Sequence, residues 1–190
     1  MRIARILSPI TTLGPGNRVG VWVQGCSRNC VDCISSEMQS IDDRTEIPMD
    51  LLIKLIKQSS TRNSCSAITI SGGEPFEQCD DLLILLSDIR NEFQDILLYT
   101  GYTYNEILKN DEMKKCLKYI DVLIDGPYIR EYNTQETVLR GSYNQKIIFF
   151  NEIIKKQYID YLKKGRKTEC FVHFNNIISI GIHGRKLLDE

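Results

Sequence analysis

The sequence predicts a single α/β domain over residues 1–190, built as a partial, open (βα) barrel of about five to six parallel strands with a C-terminal β-hairpin. Three observations predict this fold. Short apolar runs alternate with stretches of helical spacing, which is typical of βα units. About five such units fit in the chain, whereas a closed barrel takes ~250 residues. The last two apolar stretches flank Asn175 and Asn176, an Asn pair typical of a hairpin turn.

The predicted strands are short, apolar and rich in β-branched or aromatic residues, as central parallel strands are. In chain order they span residues 19–24, 67–71, 96–100, 121–125 and 147–150. Between them we expect a helix opened by Pro48, a helix opened by Pro75, a helix with the capping box Thr103 and Glu106, and a helix over 152–164 that ends at Gly165.

The composition is that of an ordinary globular chain, with 42% hydrophobic and 26% charged residues and a formal net charge of -1. A chain of this length buries roughly 70% of its unfolded surface, which excludes the disordered, collagen-like and disulfide-scaffold classes. Its charge balance lacks the basic footprint that nucleic-acid binding requires. A nucleic-acid partner is therefore not expected, and the basic stretch 155–167 is interpreted as a solvated helix face.

Neither a signal peptide nor a membrane segment is expected. The N-terminus lacks an apolar core of signal-peptide type, and no window approaches the ~18 consecutive apolar residues of a membrane span. The cysteine count is 7, an odd number. We therefore expect a reducing, cytoplasmic location, in which cysteines bind metal or react rather than form disulfides.

Three cysteines, Cys26, Cys30 and Cys33, follow the strand 19–24 with CxxxCxxC spacing. This spacing lets soft sulfur ligands converge on one inorganic core at a strand end. A fourth ligand is not near in sequence, because the next cysteine is Cys65 and both histidines lie in the predicted hairpin. The pattern favours a 4Fe-4S cluster with one open iron. A zinc site with a distant ligand, and thiols used for packing or redox chemistry, stay open as alternatives.

The remaining cysteines are expected to pack in the core as small hydrophobes. They are Cys65, Cys79, Cys116 and Cys170.

A second motif, Ser71-Gly72-Gly73-Glu74, ends the second strand and precedes Pro75. Two glycines let backbone groups approach a ligand closely at a strand end, although a tight βα turn would need them as well. With the CxxxCxxC loop one βα unit earlier, this turn resembles the radical S-adenosylmethionine superfamily.

Other segments extend the resemblance over nearly the whole chain. The runs 14–18 (GPGNR) and 24–26 (QGC) are similar to elements of the glycyl-radical-enzyme activating enzymes. Residues 99–103, 124–128 and 140–145 resemble the branch that activates anaerobic ribonucleotide reductase.

The resemblance implies a radical mechanism. A reduced 4Fe-4S cluster on the three cysteines would bind S-adenosylmethionine at its open iron and transfer one electron to the sulfonium. The 5'-deoxyadenosyl radical that forms would take a hydrogen atom from a glycine of a large glycyl-radical partner protein. The cofactor carries the difficult step, so no side-chain acid or base is expected to be catalytic. A low-potential donor such as flavodoxin or ferredoxin would supply the electron.

The resemblance also implies the cofactor contacts. The edge of Ser71, Gly72, Gly73 and Glu74 would hold the methionine amino group of S-adenosylmethionine. Asp32 and Ile34 would border the adenine, although the superfamily often has an aromatic residue at the position of Asp32. Thr100 and Asp125 are candidates for ribose or methionine contacts. A turn role ahead of Gly126 is an equal alternative for Asp125.

Two other functions stay open. One is a radical S-adenosylmethionine enzyme that modifies a small molecule or peptide, similar to the deazaguanine synthase family. The other is a non-enzymatic iron-sulfur electron carrier or zinc module.

Overall fold

The computed structural model of the chain describes residues 1–134, 136–173 and 176–183. Its strands are β1 (Ile3–Ile10), β2 (Arg18–Val23), β3 (Ala67–Gly72), β4 (Asp95–Tyr99), β5 (Val122–Asp125), β6 (Lys146–Phe149), β7 (Thr168–His173) and β8 (Asn176–Gly181). Its α-helices are α1 (Met49–Asn63), α2 (Cys79–Ile89), α3 (Tyr104–Leu108), α4 (Asp111–Cys116) and α5 (Glu152–Leu162). None of the described helices is long and apolar enough to cross a membrane.

One sheet contains the first six strands in chain order, so that each strand lies beside its neighbour in sequence. Strands β2, β3, β4 and β5 are parallel, whereas β1 and β6 pair antiparallel at the two edges. The prediction of about five to six parallel strands was therefore too high, because the predicted strand 147–150 pairs antiparallel as β6, and β1 was not predicted. The α/β class is confirmed, and so is the C-terminal hairpin of β7 and β8. The barrel curvature stays a prediction.

The connections explain why the edge strands are antiparallel. A parallel pair needs a crossover, usually a helix, and helices join β2 to β3, β3 to β4, and β4 to β5. Between β5 and β6 the described residues form only the 3-10 turn Arg130–Tyr132, and between β1 and β2 the chain has the short segment 11–17. Neither connection supplies a crossover helix, so both edge strands return antiparallel.

Helices α1, α2 and α4 cover one side of the sheet, and α5 and the hairpin cover the other. Helices α1, α2 and α4 contribute to the largest apolar cluster together with β2, β3 and β4. A second cluster joins α5 to β4 and β5, and a third places Ile180 of the hairpin against Trp22 of β2. The predicted turn of the hairpin includes Asn175, which lies outside the described residues.

The local signals at helix ends were largely correct. Thr103 and Glu106 form the predicted capping box at the start of α3. Pro48 is the N-cap of α1, and Pro75 opens a 3-10 turn, Pro75–Gln78, that leads into α2. The prediction that all four remaining cysteines pack in the core was wrong for Cys170, which is exposed on the two-stranded hairpin.

A buried ion pair holds the amino ends of the parallel strands together. Arg18, the first residue of β2, is fully buried and donates to Asp95, the first residue of β4. Arg18 also donates to the Thr69 hydroxyl at 2.6 Å, and Tyr158 of α5 donates to Asp95 at 2.9 Å. The arginine of the GPGNR run is therefore a structural residue at the opposite end of the strands from the cysteine loop.

Candidate metal centre

The three cysteines of the CxxxCxxC motif lie in a loop that begins where β2 ends. Cys26, Cys30 and Cys33 are free and half-buried. The base of the loop is closed, because the Cys26 amide donates to the Gln39 carbonyl at 2.9 Å. The predicted placement of three thiols in one loop at a strand end is therefore present in the structure.

Two left-handed residues shape this loop. Asn29 and Asp32 have φ values of 46° and 54°, and these residue types tolerate that conformation better than most. Each stands directly before a cysteine, so the chain turns just ahead of Cys30 and of Cys33. A further turn bond runs from the Cys33 amide to the Cys30 carbonyl at 3.2 Å.

The Gly-Gly-Glu turn packs directly against the cysteine loop. The Gly73 amide donates to the Val23 carbonyl and the Glu74 amide to the Gly25 carbonyl, both at 2.8 Å. A Cβ on Gly72 would lie 2.4 Å from the Val23 nitrogen, and a Cβ on Gly73 would lie 2.2 Å from the Gly25 oxygen. A side chain at Gly72 would push the end of β3 away from β2, and a side chain at Gly73 would push the turn away from Gly25. Glycine is therefore required at both positions.

The Glu74 side chain is a buried brace between β3 and β4. One carboxylate oxygen accepts from the Thr100 hydroxyl at 2.8 Å and from the Phe76 amide at 3.0 Å. The other accepts from the Gly101 amide at 2.7 Å. Burial raises the pKa of Glu74 to about 7, although these hydrogen bonds act in the opposite direction. Both oxygens are engaged within the chain.

The cysteine loop and the Gly-Gly-Glu turn line one cavity of about 640 Å³, which includes Cys26, Cys30 and Cys33 in its wall. Ligand pockets commonly measure ~300–1,000 Å³. The cavity lies at the carboxyl ends of the parallel strands, where such sheets place their working groups. The predicted cofactor residues in its wall are Asp32, Ile34, Ser71, Gly72, Gly73, Glu74 and Thr100.

Asp125 is the one predicted site residue that does not line this cavity. Its carboxylate accepts from the Tyr104 amide at 2.7 Å and from the Lys146 amide at 3.0 Å. These bonds tie the start of α3 and the start of β6 to the end of β5. They favour the turn role that the sequence left open for Asp125.

Arg28 and Arg130, which were not among the predicted site residues, also line the cavity. Arg130 lies 2.7 Å from the Asp32 carboxylate, and the Arg28 guanidinium lies 4.1 Å from the Tyr102 ring centroid. The Nε atom of each arginine is buried without a hydrogen-bond partner among the described residues. Buried donors are normally paired, so these two fit a ligand that carries acceptor or anionic groups.

Residues of the C-terminal hairpin also line the cavity, although they are far from the cysteine loop in sequence. His183 and Ser179 line the same cavity as the cysteines, and the His183 Nε2 lies 2.7 Å from the Ser179 hydroxyl. In the sequence, both histidines are remote from the cysteine loop. No local pattern shows that the hairpin folds back across the sheet.

The donor set suits a cluster. Burial raises the pKa of the Cys26 and Cys33 thiols, and metal binding takes the deprotonated form, so loading this site releases protons. In the parts of the chain that the structure describes, no three His, Cys, Asp or Glu side chains converge tightly enough to hold a single metal ion. Three free thiols in one loop are the soft donor type that an iron-sulfur cluster takes, with one thiolate on each of three irons.

Comparisons with known proteins define the class. Residues 12–148 match the family model of the 4Fe-4S single cluster domain. Anaerobic ribonucleoside-triphosphate reductase-activating protein of Vibrio cholerae is 33% identical over 139 residues, which cover 70% of this chain and 88% of that protein. The protein of the same name from Enterobacteria phage T4 is 33% identical over 138 residues, 70% of this chain and 85% of its own length.

These matches confirm the resemblance found in the sequence. The family model places the chain in the class of iron-sulfur domains with a single cluster. Within it, the chain belongs to the radical S-adenosylmethionine family that contains the glycyl-radical-enzyme activating proteins.

Proposed function

We propose that this chain is a radical S-adenosylmethionine activating enzyme that forms a radical on a glycine of a large partner protein. The observation that carries the proposal is the shared cavity, in which three free cysteines face the Gly-Gly-Glu turn. The curated relatives support the same role, since they are named as activating proteins of anaerobic ribonucleoside-triphosphate reductase. The partner proposed here is an enzyme of that kind.

Cys26, Cys30 and Cys33 would hold a 4Fe-4S cluster and leave one iron without a protein ligand. When bound, the cluster would supply the one electron that splits S-adenosylmethionine into methionine and a 5'-deoxyadenosyl radical, and this chemistry would remove a hydrogen atom from the glycine. The chain holds and orients these groups and limits the access of water. A flavodoxin or ferredoxin is the proposed electron donor.

Backbone groups of the Gly-Gly-Glu turn would bind the amino end of S-adenosylmethionine. The Gly73 amide is already bonded to the end of β2 and the Glu74 amide to Gly25, so among the described contacts the polar group left at Gly73 is its carbonyl oxygen. An ammonium group needs such an acceptor. The unpaired Nε donors of Arg28 and Arg130 suit acceptors elsewhere on the cofactor, and Asp32 with Ile34 would border its adenine.

Thr100 would contact the cofactor from the end of β4, while Asp125 would act on the site only by positioning β5 and β6. We also propose that residues 1–190 act as one domain with the curvature of a partial barrel, and that the protein works in the cytoplasm.

The test is anaerobic electron paramagnetic resonance of the reconstituted, reduced protein with S-adenosylmethionine and the glycyl-radical-type protein encoded beside it. We expect a stable radical on the partner. The radical should be lost when Cys26, Cys30 or Cys33 is replaced by Ala and retained in Cys170→Ala, a matched control at an exposed cysteine outside the cavity.

Three other results would redirect the proposal. A cluster signal that changes on addition of S-adenosylmethionine, without a partner radical, would favour a small-molecule or peptide substrate. A cluster that does not respond to S-adenosylmethionine would favour an electron carrier, and a zinc-loaded protein would favour a zinc module.

A further inference from the structure

A side chain beyond the Gly-Gly-Glu motif reaches the cysteine loop. Glu77 lies in the 3-10 turn Pro75–Gln78, between Glu74 and α2. One oxygen of its carboxylate accepts two hydrogen bonds from Ser27, from the amide at 2.8 Å and from the hydroxyl at 2.6 Å. Ser27 is the residue directly after Cys26.

The contact is strong for one made near the surface. Hydrogen bonds to an ionised acceptor are roughly twice as strong as neutral ones, and here two donors of one residue meet the same oxygen. Within the described residues, no Lys, Arg or His lies within 4 Å of the Glu77 carboxylate to form a salt bridge. Its negative charge therefore lies beside the first cysteine without a close cation.

The same contact has two consequences for a cluster on Cys26. The potential of an iron-sulfur cluster depends on nearby charge and on hydrogen bonds to its sulfur atoms. A carboxylate near the site disfavours the uptake of an electron. The Ser27 amide, which is committed to Glu77, is also unable to donate to sulfur, and such a bond would raise the potential.

We propose that Glu77 is a positioning residue that anchors the cysteine loop at Ser27 and keeps the reduction potential of the bound cluster low. The proposal rests on the proposed function for the presence of a cluster. The anchoring half concerns this chain alone, because both bonds are present in the protein without any cofactor.

Three variants separate anchoring from charge. Glu77→Gln keeps an acceptor oxygen for Ser27 but removes the charge, whereas Glu77→Ala removes both. Ser27→Ala keeps the charge and the amide bond and loses only the hydroxyl bond. Asp88→Asn is the control, since Asp88 is an acid that pairs with Lys57 outside the cavity wall.

Three measurements are made on each variant: amide hydrogen exchange at Ser27 in the cluster-free protein, iron bound per chain after anaerobic reconstitution, and the midpoint potential of the cluster from a redox titration followed by electron paramagnetic resonance. None of them uses S-adenosylmethionine or a partner protein.

We expect Glu77→Ala to speed exchange at Ser27 at least fivefold and to lower iron content. Glu77→Gln should retain iron but shift the one-electron reduction equilibrium at least threefold toward the reduced form. Ser27→Ala and Asp88→Asn should keep the potential of the unchanged protein.

Unchanged exchange in Glu77→Ala would overturn the anchoring, and an unchanged potential in Glu77→Gln would overturn the charge effect. If the unchanged protein binds no 4Fe-4S cluster, the proposed function fails and the potential half fails with it, while exchange still decides the anchoring.

Discussion

Replacement of Gly73 by Ala tests whether the two motifs form one unit. The new Cβ would lie 2.2 Å from the Gly25 oxygen and 2.7 Å from the Gly25 carbonyl carbon. An ordinary contact between non-bonded heavy atoms is about 3.5–4.0 Å, so the turn and the loop must separate by more than about 1 Å. Because both sides of the contact are backbone, no side-chain rotation can relieve it.

That separation breaks the 2.8 Å bond from the Glu74 amide to the Gly25 carbonyl. Overpacking costs about 1–3 kcal/mol and an unpaired backbone group a similar amount, so we expect the free energy of unfolding to fall by about 2–6 kcal/mol. The displaced segment begins one residue before Cys26. We therefore also expect Gly73→Ala to bind less iron after reconstitution.

Gly165→Ala is the matched control. Gly165 has a φ of 74°, and a Cβ added there would have no heavy atom within 4 Å, so the substitution strains the backbone without a clash. It should lower stability by about 1–2 kcal/mol and leave iron binding unchanged. Urea unfolding measures the stability of both variants, and iron analysis measures how much iron each of them binds. A Gly73→Ala protein that unfolds and binds iron as the unchanged protein does would show that the two motifs do not form one unit.

Three further predictions concern stability. Arg18→Met leaves the Asp95 carboxylate buried without its cation and should cost about 3–5 kcal/mol in urea unfolding, whereas Tyr158→Phe, which removes one donor to Asp95, should cost about 1 kcal/mol. The Glu74 pKa of about 7 lies above the unfolded value of 4.5, so its contribution to the stability of the cluster-free protein is complete below pH 4.5 and is lost as the pH rises through about 7. The loss should amount to about 3 kcal/mol, and Glu74→Gln should remove this pH dependence. Thr103→Ala removes the capping box of α3 and should cost about 1 kcal/mol by thermal unfolding, and an unchanged midpoint would contradict the role of the cap.

The parallel centre of the sheet was predictable because each of its strands is a continuous apolar run. All six residues of β2 are buried, as a strand covered on both faces requires. The edge strand β1 was not predicted because it lacks such an apolar run. It contains Ser8 and Pro9, and most of its residues are only half-buried, so its pattern resembles neither a buried strand nor a regular alternation.

The sequence predicted only those parts of the site whose residues lie close together in the chain. The cysteine loop and the Gly-Gly-Glu turn carry their own spacing, and both are found in one cavity. The ion pair of Asp32 with Arg130 joins segments far apart in sequence, and so does the approach of His183 to the cavity. Such contacts depend on how β5, β6 and the hairpin return across the sheet, which local periodicity does not encode.

The two ends of the parallel strands differ: the amino ends hold a buried polar network, and the carboxyl ends line the cavity. At the amino ends, Arg18 satisfies its donors with Asp95, Thr69 and backbone carbonyls in a fully buried network. At the carboxyl ends, glycines bring the backbone of one motif against the other, and arginine Nε atoms stay unpaired among the described residues. Unpaired buried donors and close backbone contacts lower stability unless a ligand fills the cavity. The amino-end network therefore supplies the rigidity that lets the carboxyl ends keep an open cavity beside the three cysteines.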